Sequence, residues 1–521
     1  MALSASVILG GLIAAYIIVR SVWQWRRLAH IPGPFYAGFT KLWIFREAML
    51  MRLPTTFHEM GKTYGSLVRV GPNEVITDDP DVLRRIMAVR SPYIRGPWYE
   101  AFRVDPSKDN VLTMREDSAH AARRAKILPG YSGKENLSME SSIDTQIARL
   151  IELIETKYLS TKEVYRPMDW GVKAQYFTLD VIGDLAWGQP MGFLERDADV
   201  FDYIKITTAS ATAMMIVATY PTLARILQSR ILRFLLPKDT DQVGLGALIG
   251  VAKDVVRQRF KPDAPEHHDM LASFIRHGLS EEETSAETLL QIVAGSDTSA
   301  TTIRCVMLHL LTNPRAYQKL QAEIDEAIAT ARISSPVREA EGRRLPYLQA
   351  VVKEGLRMMP PASGAFYKLV PPGGDVIDGR FVPGGTQIGS NVMALHRSEK
   401  IYGPDADVYR PERWLEAEGD RLARMNSTID LIFHSGKFQC PGKGVAWMEF
   451  NKVFVELLRR FDFSLANPAH AANIRNAGLW IIDNFWVRVT RREGMGGSNN
   501  HHEEPARPNK GEEKAKYCSA A

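Results

Sequence analysis

Apolar residues recur at 3.6-residue spacing over several turns in three stretches: "SIDTQIARLIELIETKYL" (142–159), "AETLLQIVAGSDTSATTIRCVMLHLLTN" (286–313) and "PRAYQKLQAEIDEAIATA" (314–331). That period predicts helices and makes the middle of the chain mainly helical. A second pattern interrupts it. "SLVRVGPNEVIT" (66–77) places two β-rich runs around Gly71-Pro72-Asn73, which predicts a hairpin, and similar short runs return at 364–370, 375–392 and 479–491. The expected fold class is mainly α with small β-sheets, and no internal repeat is visible.

The first turns of the chain differ from the rest. "LSASVILGGLIAAYIIV" (3–19) carries no charge and would span roughly 26 Å as a helix, close to the thickness of a thin bilayer. Arg20, Arg26 and Arg27 follow the apolar run instead of preceding it, and Trp23 and Trp25 suit an interface. This order predicts a retained single-pass anchor, not a cleaved signal peptide, with the rest of the protein on the cytosolic side. "IPGPF" (31–35) is a stiff, non-helical joint. At the other end, "GMGGSNNHHEEPARPNKGEEKAKYCSAA" (494–521) is polar and poor in apolar residues, so a disordered tail is expected there, its His501-His502 pair solvated. The chain divides into anchor and basic flank (1–30), globular body (31–493) and tail (494–521).

Composition narrows the function classes. The chain has 521 residues, 45% hydrophobic and 24% charged, with 65 basic against 60 acidic side chains. The small excess gives no reason to expect nucleic acid as a partner. Its three cysteines, Cys305, Cys440 and Cys518, are too few and too scattered for a disulfide framework or a zinc site, which fits a reducing compartment.

One of those cysteines has unusual neighbours. In "FHSGKFQCPGKG" (433–444), Gly436 and Gly442 let the backbone adopt turns closed to other residues and come close to a flat object, and Phe433 adds an aromatic face. The segment 445–461 is strongly helical, so Cys440 lies just ahead of a helix N-terminus, where N–H groups and the positive dipole end favour a thiolate. Such a thiolate is a metal ligand, a nucleophile using His434 as base, or an inert core residue. The apolar stretch 286–313 contains "AGSDTS" (294–299), an Asp-Thr pair among small residues where leucine would pack better; a helix kink with the threonine bonded back to the carbonyl four residues earlier accounts for it locally. In "KEGLRMMPP" (353–361), Glu354 and Arg357 share a helix face, and "YRPERWL" (409–415) supplies Arg413.

Phe-x-x-Gly-x-x-x-Cys-x-Gly resembles the haem-ligand signature of the cytochrome P-450 superfamily, and the other motifs follow in that superfamily's order, so the resemblance runs from about residue 31 to about 491. It implies haem b (iron protoporphyrin IX) as cofactor, with Cys440 as the axial iron ligand and Phe433, Gly436 and Gly442 around it. It implies that Ala294 and Gly295 leave room above the iron, that Thr298 hydrogen-bonds dioxygen, and that Asp297 relays protons. Glu354, Arg357 and Arg413 would form a buried structural network. Two departures stand out. Phe438 and Lys437 occupy the place where an arginine or histidine usually binds a haem propionate, and His120 replaces a tryptophan four residues before Arg124 in "HAARRAKILPGY". Propionate binding is therefore expected to rest on Arg124, His120 and Lys368. The loop is similar to that of the pisatin demethylase-like group of fungal members.

The implied function is a haem-thiolate monooxygenase in the endoplasmic reticulum membrane, fed by NADPH-cytochrome P-450 reductase and acting with dioxygen on a lipophilic small molecule. The apolar tone of 206–221, with Met214 and Met215, and of Gln291's helix, "PASGAF" (361–366) and Trp480 supports a lipophilic substrate. Ring expansion, desaturation or coupling would use the same oxidant. A membrane-tethered haem sensor or carrier without turnover, and a cysteine hydrolase using Cys440 and His434, are the readings from other classes.

Overall fold

The computed structural model describes residues 2–492 except 104, 106 and 107; the tail expected at 494–521 lies outside the described residues. A helix at Glu281–Thr312 runs through the centre. Ser280 and Glu283 fix its start reciprocally, the Glu283 N–H donating to the Ser280 hydroxyl and the Ser280 N–H to the Glu283 carboxylate at 2.9 Å. Leu289, Ile292, Ala300, Ile303, Val306 and Leu310 are buried along it, since it is covered on nearly every side. Its main neighbour is the helix Trp170–Trp187, itself buried through most of its length.

Five short strands form the largest sheet, in the order Leu67–Arg69, Glu74–Thr77, Gln387–Ser390, Lys368–Leu369, Ile94–Arg95. The hairpin expected at 66–77 is present, Leu67 pairing with Thr77 and Arg69 with Val75. A three-stranded sheet joins Met168–Asp169, Trp486–Arg491 and Phe461–Leu465, and two further strand pairs complete the β structure. The fold is mainly helical with small sheets. Two helix bounds differ from the periodicity. The first helix of the three expected runs Met139–Leu153 and then widens into a π-turn, Ile154–Tyr158. The helix after Cys440 is Lys443–Leu458, because Phe461, which continues its apolar pattern, pairs instead with Arg491 at the edge of a strand.

The N-terminal helix, Ala2–Arg27, is long and apolar enough to cross a membrane by length and composition, and Ile8, Leu9, Leu12, Ile18 and Val19 are exposed. The stretch Val200–Thr219 passes the same test but packs against other helices of the body. The joint after the N-terminal helix is strapped down. Arg69, buried in the hairpin, donates to the carbonyls of Trp25 (2.9 Å) and Gln24 (3.1 Å) at that helix's C-terminal end and to Gly38 (3.3 Å). The Arg69 N–H also bonds the Pro32 carbonyl at 2.8 Å, and a side chain at Gly33 would collide with the Arg69 backbone.

Candidate active site

The loop before Lys443–Leu458 is held by its own backbone. The Cys440 N–H donates to the Phe433 carbonyl at 2.8 Å, closing the turn. Gly436 has φ +55°, and any Cβ there would overlap the Met87 carbonyl oxygen, so the loop needs glycine at this point. Gly442, at φ −79°, is under no such demand; it contributes its N–H, which with that of Lys443 points at the Cys440 sulfur. Burial pushes the Cys440 thiol up, while those N–H groups and the Arg124 guanidinium pull it toward the thiolate. Although protein surrounds it, Cys440 keeps an exposed surface.

The middle of the central helix is open as well. Ala294 is exposed there although the helix is otherwise covered, and Asp297 and Thr298 are part-exposed. Tyr131 senses both sides: burial first, then the charges of Glu287 on the central helix and of Cys440, hold its phenol above the ordinary value. The Thr298 hydroxyl donates to the Ala294 carbonyl at 2.8 Å. Its proton is thus committed along the helix, and its lone pairs are what it has left to offer. Gly295 serves a different purpose from its neighbour: a Cβ there would sit 3.0 Å from Ile182, so its smallness lets the helix Trp170–Trp187 approach. Burial raises the Asp297 carboxyl to about 6, moderated by the charge of Arg304.

Behind this region lies the acid–arginine network. Glu354 accepts from Arg357 at 2.7 and 2.9 Å, from Arg413 at 2.9 Å, from the Trp414 indole at 2.9 Å and from the Arg410 backbone at 2.9 Å. All three charged side chains are fully buried. Arg413 also donates to the Asp405 carboxylate at 2.8 Å, and further guanidinium hydrogens go to backbone carbonyls, among them His396 (2.8 Å), Tyr402 (2.6 Å) and Val408 (2.9 Å). Burial alone would raise the Glu354 carboxyl, but Arg357 and Arg413 outweigh it and hold it below the usual range.

The third element is a set of cations around Phe438. Lys368 sits 4.6 Å, Arg95 4.8 Å and Lys437 5.2 Å from its ring, and the His120 ring lies 6.0 Å away. Lys437 pairs with Asp117; no other carboxylate bonds a member of the set among the described residues. His120 Nε2 and Arg95 Nε are buried without partners. Burial and the neighbouring charges of Arg95, Arg124, Lys437 and Lys368 push the His120 ring down to about 3. Lys368 is likewise pushed well below the usual lysine range by burial, then by Arg95 and Lys437.

The sequence as a whole matches the family model described as cytochrome P-450 over residues 36–482. The chain is a member of the cytochrome P-450 family. It is 42% identical over 496 residues to cytochrome P-450 monooxygenase ABA1 of Pyricularia oryzae, covering 93% of this chain and 97% of that one. It is 41% identical over 471 residues to cytochrome P-450 monooxygenase aba1 of Botryotinia fuckeliana, with 90% and 92% covered. It is 30% identical over 454 residues to pisatin demethylase of Fusarium vanettenii, with 84% and 85% covered. The chain is therefore a P-450 monooxygenase, and its cofactor is haem.

The residues fit that group. A cluster of like charges with unpartnered donors is unfavourable by itself and becomes favourable around a dianion, which the two haem propionates would supply. Arg124, His120 and Lys368 were expected there; Arg95 was not. It reaches the cluster because the strand Ile94–Arg95 pairs with Lys368–Leu369, setting Arg95 opposite Lys368. The missing arginine at Phe438 was the available signal that another cation must come from elsewhere. In this P-450 chain, Arg95→Ala is expected to speed haem loss about tenfold or more, the worth of a charge-assisted hydrogen bond. The same change should raise the melting temperature of the haem-free protein by relieving repulsion. Haem transfer to apomyoglobin and thermal denaturation measure the two.

Proposed function

We propose that this P-450 is an endoplasmic-reticulum monooxygenase, anchored through residues 1–30 with its body in the cytosol. It oxidises a lipophilic small molecule with dioxygen and electrons passed from NADPH by cytochrome P-450 reductase. The carrying observation is the pair of local arrangements, a Cys440 loop with two N–H groups aimed at the sulfur and a central helix open at Ala294 and provided with Thr298 and Asp297. Support for a lipophilic substrate comes from the apolar side chains Ile44, Leu53, Phe57, Trp98, Met215 and Tyr367 that line a narrow cavity in the body. Support for the membrane comes from the apolar helix Ala2–Arg27 and from exposed Leu42, Phe45, Ile226, Ile231, Phe234 and Leu235 on the body.

Haem, when bound, supplies the activation of dioxygen, and Cys440 is the residue that would hold its iron. The remaining work falls to side chains. Arg95, Arg124, His120 and Lys368 would hold the propionates. Ala294 leaves space for a small ligand. Thr298, whose proton is engaged with Ala294, accepts a hydrogen bond from a ligand or water in that space and so orients it. Asp297, with an affinity for protons near neutrality, takes and returns them at its carboxylate oxygen. The fungal monooxygenases it resembles make secondary-metabolite biosynthesis or detoxification the proposed setting.

The test is reconstitution with reductase and NADPH under labelled dioxygen, after lipophilic compounds have been screened for spin-state shifts. One labelled oxygen in the product is expected. Thr298→Ala should lower product formed per NADPH about tenfold while hydrogen peroxide rises, since loss of a positioned proton-handling group costs on the order of 10² in rate. NADPH oxidation without label in any product would overturn the proposal, and product structure would reveal desaturation, coupling or ring expansion.

A further inference from the structure

The carboxylate of Asp297 is the end of a three-residue chain. The Gln175 side-chain N–H donates to Asp297 Oδ1. The oxygen of the same amide accepts from Arg304 Nη2 at 2.6 Å, and Arg304 Nε donates to the Gly171 carbonyl at 2.6 Å. Gln175 and Arg304 are buried. Arg304 stands two turns beyond Asp297 on the central helix, and Gln175 comes from the facing helix Trp170–Trp187.

This arrangement fixes the amide in one orientation. Turned over, it would put its oxygen against a carboxylate and its NH₂ against a guanidinium, losing both bonds and gaining two repulsions. The spacer also sets the strength of the charge effect. An arginine directly on Asp297 would lock the carboxylate in its ionised form, whereas an unassisted buried carboxyl would remain neutral. With an amide between them, Asp297 receives a donor at one oxygen and the arginine's charge at a distance. We propose that Gln175, backed by Arg304, is the positioning residue that orients the Asp297 carboxylate and sets its proton affinity for proton handling in this P-450. The inference rests on the role of Asp297 put forward above.

The other groups acting on this site are few. Tyr203, from the helix Tyr203–Thr219, lies beside Asp297, and Asp169 and Asp483 act on Arg304 from neighbouring strands. Burial lowers Arg304 to about 10, so it keeps its charge across the neutral range, and the Tyr203 phenol is held well above its ordinary value. Of these groups, Asp297 is the one whose carboxyl burial raises to about 6.

The experiment uses the full-length haem-loaded enzyme and two variants, Gln175→Leu and the isosteric Gln175→Glu. Infrared difference titration follows the Asp297 carboxyl band, identified by its loss in Asp297→Asn, and coupling is read as product per NADPH against pH. Either variant should move the carboxyl midpoint upward by at least about one pH unit, a tenfold change in proton affinity. The matching limb of the coupling profile should shift with it, while the carbon monoxide-bound reduced spectrum stays unchanged. An unmoved midpoint in a variant with an intact spectrum overturns the proposal. A midpoint that moves, in an enzyme whose coupling Asp297→Asn leaves untouched, upholds the positioning by Gln175 and removes the proton-handling role of Asp297.

Discussion

Cys440→Ser is expected to give a protein that folds but does not form the haem-thiolate centre, with turnover falling at least about a thousandfold, several kcal/mol of barrier. The loop survives because its frame is backbone: the Cys440 N–H bond to the Phe433 carbonyl and the left-handed turn at Gly436 do not involve the sulfur. What is lost is the anion. A serine hydroxyl keeps its proton at neutral pH, so the N–H groups of Gly442 and Lys443 and the nearby Arg124 have no charge to stabilise. The reduced, carbon monoxide-bound spectrum decides the matter, and a spectrum unchanged from wild type would remove Cys440 from its place under the iron.

Glu354→Ala is expected to cost about 3–5 kcal/mol, because it leaves Arg357 fully buried with no carboxylate bonded to it and Arg413 with Asp405 alone. Domains are held by roughly 5–15 kcal/mol, so a loss of that size removes much of the margin and should appear as low yield and poor haem content. Denaturant titration of the purified variant measures it. The pH dependence has a definite sign. Glu354 is held below its ordinary value of 4.5, so its contribution is present above that pH in the wild type and fades as the pH falls through the lowered value. The variant's stability should therefore converge on that of the wild type in acid.

How far the sequence disclosed this site depended on how far apart its parts lie along the chain. The Cys440 loop, the Asp297-Thr298 pair and Glu354 with Arg357 are each local: side chains three or four residues apart meet on one helix, and Gly436, four residues before the cysteine, marks a turn that only glycine makes easily. Arg413 was legible only through resemblance, since nothing local places it on Glu354. Arg95 was missed for a physical reason. Its position depends on a strand register with Lys368, which two residues of strand cannot specify by themselves. Gln175 and Arg304 were missed likewise, because a glutamine inside a buried helix carries no signal until the facing helix brings a carboxylate to it. The helix Lys443–Leu458 was read too long because Phe461 fits helical and strand periodicity equally well.

The grip of Arg69 on the last turn of the N-terminal helix has a mechanical meaning. With Trp25, Gln24, Gly38 and Pro32 all bonded to one hairpin strand, the helix meets the body at a set angle, more like a mast stepped in a keel than a rope on a buoy. A bilayer that takes up this helix would dictate the attitude of the whole enzyme, and with it the direction in which the apolar cavity looks.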